Sequence, residues 1–106
     1  MRILFNQGTP APLRHLLAEH VVTTAHELGW STLKNGELLA AAENQGFDLL
    51  VTTDTNLKYQ QNLAQRRIAI VVLSTTSWPR IRTASEMVVR AVDGATPGTY
   101  SEVAIP

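Results

Sequence analysis

Residues 46–57 read GFDLLVTTDTNL, and the fold turns on how this stretch is taken. A glycine able to close a helix precedes the apolar run Leu49, Leu50 and Val51, which gives way to Thr52, Thr53 and the polar cluster Asp54, Thr55 and Asn56. A short apolar run bounded by turn residues predicts a buried strand, here from Phe47 or Asp48 to Thr52. In an open α/β sheet, ligands bind just beyond the carboxyl ends of the strands. Asp54 is therefore the first candidate functional residue.

Upstream, Asn35 stands where an N-cap would and Gly46 where a C-terminal glycine should, bracketing a helical pattern of Glu37, Leu38, Leu39, Ala41, Ala42 and Glu43. Downstream, Tyr59 to Gln65 reads as a helical connection. Ile68 to Leu73, IAIVVL, suits a parallel strand covered on both faces. At the start of the chain, Arg2 to Asn6 reads as a first strand. Thr9 as cap, Pro10 and the stripe Leu13, Leu16 and Leu17 predict a short helix from Pro10 to Ala18, with Pro12 tolerated near its start. Val21 and Val22 suggest a second strand, followed by a helical turn from Thr23 or Thr24 to Leu28 that Gly29 ends. Ser77 can cap a last helix over Trp78, Pro79 and residues 81–92. Beyond Gly94, a tail with Tyr100 to Ile105 reads as an edge strand or a docked extended segment. Strands alternating with helices predict a small three-layer α/β/α domain with a mostly parallel central sheet and right-handed crossovers.

At 106 residues the chain suits one domain. Its 44% hydrophobic and 17% charged residues are those of an ordinary globular protein. Nine Lys and Arg balance nine Asp and Glu, so a basic surface for nucleic acid has to be local. The absence of Cys excludes disulfides and thiolate metal sites. No apolar run approaches the roughly 20 residues that span a bilayer, so the expectation is a soluble, cytoplasmic protein.

The predicted topology brings Asn6, after the first strand, and Asp54, after the 47–52 strand, to one sheet edge. The helix that begins near Asn35 starts from the same edge, so Glu37 in its first turn approaches both. Carboxylate and amide oxygens suit Mg²⁺ or Mn²⁺, and such an ion can polarise a phosphodiester and supply hydroxide. Acids at helix starts and strand ends equally serve as plain caps and solvated turns.

LFNQGTP at residues 4–10, LKNGELLAAAENQGFDLLVTTD at 33–54, NLKYQQNL at 56–63 and, after them, IAIVVL and WPRI together resemble a family of short PIN-like proteins of formally unknown function, related to the VapC-type toxin nucleases. The resemblance runs to about Ile81. It implies a compact α/β domain whose acids hold Mg²⁺ or Mn²⁺ and hydrolyse RNA, with tRNA a candidate target, an antitoxin protein as partner and pairing into a homodimer. Carried over by position, Glu37 matches the helical acid and Asp54 the acid after the strand. Asn6 stands where the family has Asp, Gln7 where many relatives have Glu, and Asn56 at the place of a fourth acid. The implied catalytic set is thus Asn6, Glu37 and Asp54, with Asn56 as a further metal position. Asn offers an oxygen ligand but no charge and no base. Asn6 in place of Asp is a natural degeneration or an introduced, nearly isosteric change, and with it the alternative function is a non-catalytic RNA- or protein-binding module.

Thr52, Thr53 and Thr55 are candidates to orient phosphate or water, and equally are turn formers. Lys34, Lys58, Tyr59 and Gln60 flank the expected pocket and suit RNA phosphate and base, or simply solvated surface. Arg14, His15, Arg66, Arg67, Arg80 and Arg82 are scattered, and only the fold can join them. His15, His20 and His26 lack zinc-like partners and read as surface or satisfied histidines. Asp48 reads as a cap at the opposite strand end, and Trp30 and Trp78 as packing anchors. No phosphate-binding glycine loop and no nucleophile elbow is present.

Overall fold

Side chains alternate across a β-strand, and that alternation sorts this chain's apolar residues into two clusters. Ile3, Phe5, Leu49, Val51, Ala69, Val71 and Leu73 bury on one face of the sheet. Leu4, Leu50, Ile70 and Val72 bury on the other. Both faces are therefore covered, which is why the strands read as unbroken apolar runs. The fold is given by a computed structural model that describes residues 1–60 and 62–106, with Gln60 by its backbone alone. Its strands are β1 (Arg2–Phe5), β2 (Val21–Thr24), β3 (Leu49–Thr52), β4 (Ala69–Leu73) and β5 (Tyr100–Val103). They form one sheet in the order β2-β1-β3-β4-β5, and every neighbouring pair is parallel. The tail does supply an edge strand.

The first face carries a 3₁₀ segment (Ala11–Leu17), α3 (Trp78–Thr83) and α4 (Ser85–Asp93), through Leu13, Leu17, Ile81, Val88 and Val92. The second carries α1 (Asn35–Asn44) and α2 (Leu57–Gln60), through Leu38, Leu39, Ala42 and Leu57. The result is a three-layer α/β/α domain. Among the described residues no helix is long and apolar enough to cross a membrane.

The connections do not share one hand. Those from β1 to β2 and from β4 to β5 both run over the first face, yet they step in opposite directions along the sheet. The connections that enter β3 and β4 run over the second face. The last crossover is therefore opposite in hand to the other three, and the expectation of uniform right-handed crossovers fails there. Its apolar side chains cover the first face, where only the short 3₁₀ segment otherwise lies; a crossover of the common hand would have placed them over the face that α1 and α2 occupy.

Other departures are local. Pro10 and Pro12 withhold two amide donors, and the first helical segment winds as 3₁₀. Residues 25–29 form hydrogen-bonded turns instead of a helix, begun by Glu27 N–H donating to Thr24 Oγ1 at 3.1 Å and ended by Gly29 at φ 72°. The helix expected over 59–65 is only the turn Leu57–Gln60 where it is described, and Gln61 lies outside the described residues. The last helix breaks at Ala84, where the Thr83 hydroxyl donates to the Arg80 carbonyl at 2.8 Å and competes for the helical acceptor. Gly46 behaves as read. At φ 78° it lets its own N–H reach Glu43 C=O and that of Phe47 reach Ala42 C=O, which is a Schellman closure of α1.

Candidate functional site

From β1 the chain steps to β2 on one side and later resumes at β3 on the other, so the carboxyl ends of β1 and β3 bound the switch-point crevice of the sheet. Thr52, the last residue of β3, is fully buried there. Its Oγ1 accepts from Asn6 Nδ2 at 3.0 Å and from the Asp54 N–H at 3.1 Å, and so ties the two strand ends together. The loop after β1 is fixed in turn. Asn6 Oδ1 accepts the Gln7 N–H at 2.8 Å, the Asn6 carbonyl accepts the Thr9 N–H at 3.0 Å, and the buried Thr9 hydroxyl donates to Val51 C=O at 2.9 Å. Gly8 lies against Thr53: a Cβ on it would sit 2.5 Å from Thr53 Oγ1.

Asp54 is half-buried, and both its oxygens accept hydrogen bonds. Oδ1 takes the Asn56 N–H at 2.9 Å and Oδ2 takes Asn35 Nδ2 at 2.7 Å. Asn35, expected as a cap, is instead the first residue of α1 and is directed at the strand end. Glu37 is exposed, and its Oε1 accepts the Lys34 N–H at 3.1 Å, capping its own helix. Helical residues two apart point to different sides, so the turn that aims Asn35 at Asp54 carries Glu37 away. Of the three expected together, Asn6 and Asp54 meet through Thr52, and the described contacts of Glu37 lie within its own helix.

The remaining candidates are dispersed around this centre. Asn56 gives its backbone N–H, with its side chain exposed. Thr53 is half-buried beside Gly8, and Thr55 is exposed on a small cavity of about 270 Å³ that also includes Ser74 and Glu102. Lys58 Nζ lies 2.9 Å from Glu102, and this bond raises the Lys58 pKa. Tyr59 is 77% exposed, with the Lys58 ammonium 5.2 Å from its ring centre. Lys34 is exposed, and the Gln60 side chain lies outside the described residues. Several cations are held away from a common face. Arg14 pairs with Glu27, Arg66 with Glu43 at 2.7 Å, and Arg80 donates to the Ile105 and Pro106 carbonyls. Asp48 accepts the Arg2 N–H at 2.8 Å at the far strand end, His20 bridges the Met1 amine and Asp93, and Trp30 packs edge-on against Phe47.

A hard divalent cation wants about six oxygen ligands, commonly one or two of them carboxylates. Among the described residues no group of three or more His, Cys, Asp and Glu side chains is placed to hold a metal. The switch point offers one carboxylate, already bonded by N–H donors, and amides at Asn6 and Asn35 that donate through their nitrogens. The residues present do not make a cation site. Each Asp54 oxygen already accepts one N–H bond, and no second carboxylate stands beside it.

Sequence reasoning did not find Asn35 as a neighbour of Asp54, nor the role of Thr52 as the bridge. The signal for Asn35 was its phase: the first helical residue, two before Glu37, on a helix starting at the same edge. Compared with known proteins, the chain matches no family model, no curated protein and no solved structure.

Proposed function

We propose that this chain is a PIN-like domain of the metal-dependent ribonuclease type whose cleavage centre is silenced. One observation carries the reading: Asp54 stands at the switch point joined through Thr52 to Asn6, an amide where the family it resembles has Asp, while the amide of Asn35 occupies the other side of Asp54. RNA as the ligand rests on the resemblance of the blocks around Asn6, Glu37 and Asp54. An antitoxin partner, a cytoplasmic location and pairing of two copies belong to the same proposal, whereas the expected Mg²⁺ or Mn²⁺ would be held only once carboxylates are restored.

The test is Mn²⁺-dependent cleavage of a total tRNA pool by the parent chain, by Asn6→Asp and by Asn6→Asp/Asn35→Asp. The expected result is no cleavage by the parent and metal-dependent cleavage by the double variant. Failure of all three, with the proteins folded, would overturn the nuclease reading. The second reading, a non-catalytic binding module on the same scaffold, is favoured by the N–H bond that each Asp54 oxygen accepts, and that failure would leave it standing.

A further inference from the structure

Asn35 is followed by Gly36, and no other Asn of the chain precedes a glycine: Asn6, Asn44, Asn56 and Asn62 precede Gln or Leu. An Asn followed by Gly is chemically labile, because the next backbone nitrogen can close on the side-chain carbonyl carbon and glycine brings no Cβ to hinder it. A helix interior prevents this closure by holding that nitrogen in its ladder. Here the ladder starts too late to do so. The Leu38 N–H makes the first such bond of α1, to the Lys34 carbonyl at 2.8 Å, so the Gly36 nitrogen lies in the opening turn, whose N–H groups a helix leaves without an acceptor. Helix ends fray first, and Asn35 and Gly36 are both half-buried, within reach of water.

We infer that Asn35 is a site of spontaneous deamidation. The Gly36 nitrogen bonds to Asn35 Cγ, the Cγ–Nδ2 bond breaks, and ammonia leaves with the proton that the Gly36 nitrogen gives up. Water then opens the five-membered imide at either carbonyl, giving aspartate or isoaspartate. In sum, water is taken up and ammonia released, with no change of oxidation state. The nitrogen that leaves is the one that donates to Asp54 Oδ2 at 2.7 Å, so in the aspartate product a carboxylate oxygen replaces it against Asp54. The switch point thus passes, irreversibly and without an enzyme, from one carboxylate facing an amide to two carboxylates facing each other. The new charge sits in the first turn of a helix, where anions are favoured. The modification stands on Asn35, Gly36 and their place in α1, and only its bearing on cleavage rests on the reading given above.

The test is peptide mass mapping of the full chain during incubation at mildly alkaline pH and body temperature. The peptide holding Asn35 is expected to gain one mass unit before those holding Asn6, Asn44, Asn56 or Asn62, while ion exchange resolves a species one negative charge richer. Gly36→Ala favours the closed helical turn and crowds the attacking nitrogen, and should slow the gain by at least about fivefold. Asn35→Gln, whose longer side chain would have to close a six-membered ring, should show no gain over the same time. Conversion of Asn35 no faster than of the other asparagines, or an unchanged rate in Gly36→Ala, would overturn the inference. The two proposals fail separately. Conversion of Asn35 with no cleavage by either carboxylate variant removes only the nuclease reading, and cleavage by the double variant with Asn35 unconverted in the parent removes only this one.

Discussion

Replacing Thr52 by Val keeps the shape of a fully buried side chain and removes the one atom that joins β1 to the Asp54 turn. Two donors then lose their acceptor: Asn6 Nδ2, now 3.0 Å from Oγ1, and the Asp54 N–H, now 3.1 Å from it. An orphaned buried donor costs about 1–3 kcal/mol. Both residues are only half-buried, so water recovers part of this, and the added methyl returns up to about 0.8 kcal/mol. The expected net loss is about 1–2 kcal/mol, or roughly 5–15 °C in Tm for a domain of this size. Urea titration should show a lower midpoint at unchanged slope. Thr52→Ser keeps the acceptor and loses only a buried methyl, about 0.8 kcal/mol, so it should fall between Val and the parent, while Thr53→Val, whose hydroxyl makes no hydrogen bond among the described residues, should stay near the parent. If Thr52→Val lies within about 0.5 kcal/mol of the parent, the surface-substitution range, Thr52 is not the bridge described.

Asn35→Asp sets a second carboxylate against Asp54, where the present contact is 2.7 Å. Unit charges about 4 Å apart repel by roughly 1–4 kcal/mol between bulk water and a protein surface, so the variant should melt lower than the parent and recover on Mn²⁺ addition, whereas the parent's Tm should not respond to the ion. Burial pushes the Glu43 carboxyl up, but the Arg66 guanidinium and the Arg67 and Ile68 amides more than offset this and hold it below its ordinary 4.5. A depressed carboxylate stabilises the fold above its unfolded pKa and loses that contribution as pH falls through the folded one. Stability should therefore drop on acidification below about 4.5, and urea midpoints of Glu43→Gln should show a shallower fall. Gly46→Ala places a side chain at φ 78° with its Cβ 3.0 Å from Arg2 Nη1, and should cost about 1–2 kcal/mol by denaturant titration.

Much of the fold was legible because the strands obey a simple rule: a run such as IAIVVL has no polar face to give to solvent and so belongs between two layers. Gly46 likewise announced its left-handed turn. The break at Ala84 was less visible, since it rests on the Thr83 hydroxyl reaching back to one carbonyl. The reversed last crossover was hidden entirely, because it depends on which face still lacked cover once three helical elements were in place. At the site, position along the strands located Asn6 and Asp54. Phase around α1 decided between Asn35 and Glu37, and a one-residue difference in where the helix begins was enough to exchange them: Lys34, not Asn35, is the cap.

The ring of amides around Asp54 also carries a direction in heredity. Asn and Asp codons differ by a single base, so a charged centre lies within reach of point mutation, but the two steps are not equivalent. At position 6 the Thr52 hydroxyl can turn and donate to a new carboxylate while still accepting the Asp54 N–H. At position 35 the new charge meets Asp54 head-on. A chain gaining the charges would cross the first step almost freely and would meet the second against the repulsion of Asp54.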